Sequence, residues 1–147
     1  GLGGKAMLEA ASNIASRSKS SPKLVAVTTL TSLSDKDLNE IGLFRSISDQ
    51  AISLGSLALS SGIDGLVTSA FEAKVLRDTF PTSLLVTPGI RLQNDSVNDQ
   101  KRVATPEFAL SQGATHLVVG RSILKSNNPS VVVDKILQDI QQDKLNG

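Results

Sequence analysis

The sequence predicts an α/β fold built on a parallel sheet, and two observations support this prediction. Four short apolar runs lack the polar alternation of half-exposed strands, which is typical of strands covered on both faces. Amphipathic helical patterns alternate with these runs, and such an order implies parallel strands joined by right-handed crossovers. The 147 residues are enough for one core, so we treat residues 1–147 as a single domain.

Each predicted strand is rich in Val or Leu and is bounded by Gly, Pro or Ser. The four strands are predicted at residues 23–30, 65–70, 83–89 and 116–123. Five helices are predicted at residues 4–18, 48–62, 69–80, 105–113 and 128–145. Ser48, Ser69 and Thr105 are the expected N-caps, and Gly62 and Gly113 are the expected stops.

Composition excludes several functional classes. A formal net charge of +1, 3% aromatic residues and no Trp or Tyr argue against nucleic-acid binding. The absence of Cys excludes disulfides and thiolate metal sites. No apolar run is long enough to span a bilayer and no signal peptide is recognisable, so a cytoplasmic protein without membrane partners is expected. His116, the only histidine, begins a predicted strand and is expected to be structural, which leaves no histidine for a catalytic triad or a metal site.

Small and hydroxyl-bearing residues follow every predicted strand, at the end where ligands bind in parallel α/β folds. Small residues let backbone N–H groups approach an anion, and Arg binds phosphate through parallel donors. These positions are Thr29, Thr31, Ser32, Thr68, Ser69, Glu72, Thr87, Gly89, Arg91, Gly120, Arg121 and Ser122.

Two arginines and one glutamine are candidate phosphate ligands. Arg121 directly follows a buried run and Gly120, and the last loops of β/α barrels often bind phosphate, so we expect it to meet an anion. Arg91 follows a Pro-Gly turn, and its alternative is a solvated loop position. Gln100 lies in a long polar loop and could donate its amide to a phosphate oxygen. The pattern around Gln100 by itself favours a solvated residue.

Several segments together resemble the bacterial branch of the orotidine 5′-phosphate decarboxylase family. They are AVTTLTSL, GIDGLVTSAFEA, LLVTPGIR, DQKRVATPEFALSQGATHLVVGRSI and NNPSVVVDKI. The resemblance covers essentially the whole chain, and the ordered set TPGIR, DQ-x-R-x-x-TP and VVGR-x-I is specific. The opening GLGGKAMLEAA is similar to the family's stretch around its fourth strand.

The resemblance implies a (β/α)₈ TIM barrel of which this chain is the partial barrel of the last four βα units. It implies a carboxy-lyase that converts orotidine 5′-phosphate to UMP in pyrimidine biosynthesis, without cofactor or metal, and a homodimer at full length. By matching motifs, Thr31, Arg91, Gln100, Gly120 and Arg121 correspond to substrate contacts, with Gln100 and Arg121 at the phosphate.

The chain departs from the family at the catalytic motif D-x-K-x-x-D. The only D-x-K is Asp99-Gln100-Lys101, where Ala104 replaces the second Asp, and it lies in the wrong region. We therefore expect a C-terminal portion of the enzyme, of doubtful activity by itself. The alternatives are a non-catalytic phosphate- or nucleotide-binding half-barrel and another phosphate-handling β/α-barrel enzyme. Another phosphate-handling β/α-barrel enzyme is disfavoured, because Thr31, Arg91 and Gln100 occur together with Gly120-Arg121 in the decarboxylase pattern.

Overall fold

The computed structural model describes residues 1–92 and 104–146. The described strands are β1 (Val25–Val27), β2 (Gly65–Val67), β3 (Leu84–Thr87) and β4 (His116–Leu117). All neighbouring pairs are parallel, and the strands follow one another in chain order, β1-β2-β3-β4. The predicted parallel α/β fold is confirmed.

Helices connect and flank the strands. They are α1 (Gly4–Arg17), α2 (Asp35–Glu40), α3 (Ile47–Ser60), α4 (Ala70–Thr79), α5 (Pro106–Ser111), α6 (Arg121–Leu124) and α7 (Pro129–Asn146). Among the described residues, no helix combines the length and the apolarity that crossing a membrane requires.

The main core lies between one face of the sheet and the helices. Ala26, Leu66 and Leu85 occupy equivalent positions on β1, β2 and β3 and point to the same face. Leu66 and Leu85 are fully buried, and each such side chain contributes about 1.5–3 kcal/mol relative to an exposed position. The helical residues of this cluster are Leu8, Ala51, Ala58 and Leu76.

The opposite face of the sheet, here called the open face, carries Val25, Val27, Val67 and Val86. Successive strand residues alternate between faces, so these valines point away from the helices. Val25 and Val27 are 42% and 43% exposed. The expectation that strands are covered on both faces is therefore wrong for β1, because the described helices pack against the other face.

The fourth predicted strand, at residues 116–123, is too long. Strand β4 ends at Leu117, and Arg121 begins the short helix α6. The carbonyl of Gly120 accepts hydrogen bonds from the backbone N–H groups of Ile123 and Leu124, both at 3.0 Å, which turns the chain away from the sheet. Strands β1, β2 and β3 are likewise shorter than predicted.

Two features of the β1–α3 connection differ from the prediction. Helix α2 was not predicted, although Ser34 and Asp37 form a capping box at its start. Helix α3 begins at Ile47 and not at Ser48, because the Ser46 hydroxyl accepts a hydrogen bond from the backbone N–H of Asp49 at 3.0 Å. The predicted caps Ser69 and Thr105 are confirmed.

Candidate functional site

The parallel register brings the carboxyl ends of the strands to one edge of the sheet. Val27, Val67 and Val86 are in register, so Thr28, Thr68 and Thr87 form the next row across three strands. Connections that leave this edge contain Thr31 after β1, Arg91 after β3, and Gly120 and Arg121 after β4. Four of the five predicted ligand residues therefore lie on connections from the same edge. Gln100 lies outside the described residues, so its role stays a prediction.

Buried hydroxyls without hydrogen-bond partners among the described residues cluster at this edge. They belong to Thr29, Thr68, Thr87 and Ser122, one on each strand end or its connection. Thr68 and Thr87 are 1% and 0% exposed and share the helix-covered face with Leu66 and Leu85. Burying a hydroxyl without a hydrogen-bond partner lowers the free energy of unfolding by about 1–3 kcal/mol. These four residues therefore stabilise the fold less than their burial alone would indicate.

Glu72 is a buried carboxylate at the same edge. It is 3% exposed, and the hydroxyl of Ser69 donates to its Oε2. Ser69 also accepts a hydrogen bond from the backbone N–H of Phe71 at 3.2 Å, which caps α4. The S-x-x-E spacing of SAFE is the sequence signal that identifies this pair.

The Pro-Gly turn after β3 directs the chain across the edge. Gly89 has a φ of 82°, a left-handed conformation that glycine adopts without steric cost. Ile90 is fully buried and pairs with Ala104 in a parallel bridge. The backbone N–H of Arg91 donates to the carbonyl of Ala104 at 2.9 Å, and its guanidinium Nη1 donates to the Ile90 carbonyl at 2.8 Å. Arg91 is thus half-buried in the connection after β3.

Gly120 and Arg121 form the corresponding turn after β4. In the part of the chain that the structure describes, a Cβ built on Gly120 meets no atom within 4 Å, so this glycine borders open space there. Arg121 follows as the first residue of α6 and is half-buried. An arginine guanidinium can bind a phosphate through two parallel donors.

Thr31 lies in the turn between β1 and α2. The backbone N–H of Leu33 donates to the carbonyl of Leu30 at 3.1 Å and closes this turn. Thr31 is half-buried within it. Thr31 follows β1 and Arg91 follows β3, and β2 lies between these two strands in the sheet.

The described residues contain no group of three His, Asp or Glu side chains able to hold a metal ion. His116 is exposed, and its Nδ1 shares a hydrogen bond of 2.9 Å with the Thr115 hydroxyl. It lies at the amino end of β4, as predicted, and away from the candidate edge.

The parallel strand order, the helix-covered face and the alternation of strands and helices together define part of a β/α barrel. The Orotidine 5′-phosphate decarboxylase / HUMPS family profile matches residues 1–136. The chain belongs to this family.

Curated relatives and solved structures show the same likeness. The chain is 45% identical over 139 residues to the orotidine 5′-phosphate decarboxylase of Idiomarina loihiensis, covering 94% of this chain and 60% of the relative. It is 46% identical over 136 residues to that of Hydrogenovibrio crunogenus, covering 92% and 58%. The crystal structure of orotidine 5′-phosphate decarboxylase from Lactobacillus acidophilus matches with a TM-score of 0.77 at 37% identity, covering 93% of this chain and 59% of that one. The chain thus spans about three fifths of the proteins it matches.

Proposed function

We propose that this chain is the substrate-binding portion of an orotidine 5′-phosphate decarboxylase, which converts orotidine 5′-phosphate to UMP and CO₂. One observation carries the proposal: the TPGIR turn and the Gly120-Arg121 turn leave neighbouring strands at one edge. Membership of the family supports it. The substrate is a small molecule, the protein acts in the cytoplasm, and the whole enzyme is a homodimer.

The phosphate is held by Arg121 and by backbone groups beside Gly120. The open space at Gly120 admits a phosphate close to the backbone, and the guanidinium of Arg121 supplies paired charged donors. Gln100 adds an amide donor from the long loop. Thr31 and Arg91 contact the rest of the nucleotide from the connections after β1 and β3.

The decarboxylation breaks the bond between the pyrimidine ring and its carboxylate, and the electron pair left on the ring carbon takes up a proton. In our proposal that proton comes from a lysine in the part of the enzyme that this chain does not match. The residues named above therefore bind the substrate. Holding the distant phosphate stabilises the transition state, because binding energy from a non-reacting group can lower the barrier.

The test uses a complete barrel in which this chain replaces the matching region of the Idiomarina loihiensis relative. Titration with UMP measures the dissociation constant of this barrel and of two variants, Arg121→Ala and Lys125→Ala. Lys125 is the matched control because it is an exposed cation at the end of the same helix, α6. We expect Arg121→Ala to weaken UMP binding at least tenfold, since it removes a charge-assisted phosphate contact, and Lys125→Ala to leave binding unchanged. Equal affinities would remove Arg121 from the phosphate site.

A binding module without catalysis is the second candidate, favoured by the absence of D-x-K-x-x-D from the 147 residues. UMP titration of this chain by itself, beside the complete barrel, separates the two proposals. UMP binding that is present only in the complete barrel supports the enzyme. UMP binding by this chain alone, with an affinity equal to that of the complete barrel, supports the binding module.

A further inference from the structure

We draw no further inference here: the strongest candidate, the exposed aromatic patch that Phe71 and Phe108 form at the starts of α4 and α5 with their ring centroids 5.4 Å apart, is an apolar surface, and nothing in the structure shows what covers it.

Discussion

At the amino edge of the sheet, polar side chains form hydrogen bonds with backbone groups of the loops that enter the strands, whereas four buried hydroxyls at the carboxyl edge have no partner among the described residues. The guanidinium of Arg77 donates to the carbonyls of Gly113, Pro81 and Ser83. The Thr115 hydroxyl both accepts from the N–H and donates to the carbonyl of Leu85, at 2.9 and 3.0 Å. These contacts tie together the loops before β3 and β4.

The carboxyl edge has the opposite character. Thr29, Thr68, Thr87 and Ser122 bury hydroxyls that no described residue pairs. Two glycines differ in the same way between the two edges. At the amino edge, a Cβ on Gly65 would lie 2.5 Å from the Leu84 carbonyl oxygen. At the carboxyl edge, a Cβ on Gly120 would meet no atom of a described residue within 4 Å. The comparison teaches that paired polar groups stabilise the amino edge, whereas the carboxyl edge contains buried hydroxyls without described partners and a glycine beside open space. A stable amino face opposite a carboxyl face that carries the ligand site is the usual division in β/α barrels.

The largest effect is expected from a methyl group at the amino edge. Gly65→Ala would force its Cβ to within 2.4 Å of the Leu84 Cβ and 2.5 Å of the Leu84 carbonyl oxygen. Because a backbone atom cannot move aside as a side chain does, we expect the free energy of unfolding to fall by about 3 kcal/mol. Chemical denaturation of the complete barrel measures the change.

Gly120→Ala is the matched control, with the same added methyl group at the carboxyl edge. We expect its free energy of unfolding to stay within about 0.5 kcal/mol of the parent, because the added atom meets no atom of a described residue within 4 Å. A similar loss of stability in both variants would contradict the contrast between the two edges.

A smaller effect is expected from the buried threonines. Thr87→Val removes a hydroxyl without a described partner, so stability should rise by about 0.5–1 kcal/mol. Thr28→Val removes a hydroxyl that donates to the Val67 carbonyl at 2.9 Å, so stability should fall by about 1 kcal/mol. Thermal unfolding of the two variants side by side measures the difference. Destabilisation by Thr87→Val would show that its hydroxyl has a partner in the complete protein.

The parallel α/β fold and the position of four candidate ligand residues after strand ends could be predicted from the sequence, because buried strands and helix caps leave local signals. Apolar runs located all four strands, and Ser69 and Thr105 marked helix starts. Thr31, Arg91, Gly120 and Arg121 follow strands, and parallel pairing brings strand ends to one edge without long-range information. Gln100 lies outside the described residues, and its prediction rests on the resemblance.

Other features depend on tertiary contacts that local patterns do not contain. The run from His116 to Ile123 is apolar enough for a strand, yet the turn at Gly120 converts its end into α6. Val25 and Val27 are exposed because the described helices cover the other face of the sheet. An apolar run does not reveal whether one face or both faces of its strand will be covered. Helix α2 carries a capping box, but it is only six residues long and has a single buried side chain, Leu38.

The smallest effect is expected from acid, again at the amino edge. Asp64 accepts a hydrogen bond from the Lys23 ammonium at 2.7 Å and another from the backbone N–H of Leu24 at 2.9 Å. These contacts, the one with Lys23 first, lower the pKa of the Asp64 carboxyl below its ordinary value of 3.8. A carboxyl whose pKa is lower in the folded state stabilises the fold above its ordinary pKa, and this stabilisation is lost as the pH falls through the folded value.

Asp64→Asn should therefore be less stable than the parent at pH 7, and the difference should disappear as the pH falls below 3.8 toward the folded pKa. Asp78→Asn is the matched control, because Asp78 pairs with Lys74 within one turn of α4 on an exposed surface. Such pairs contribute little, so its stability should follow that of the parent at every pH. Denaturation midpoints of the three proteins between pH 2 and pH 7 provide the measurement. If the difference in denaturation midpoint between Asp64→Asn and the parent stayed constant over this pH range, the charge of Asp64 would not be what stabilises the fold. The ion pair with Lys23 would then contribute nothing to the stability of the amino edge.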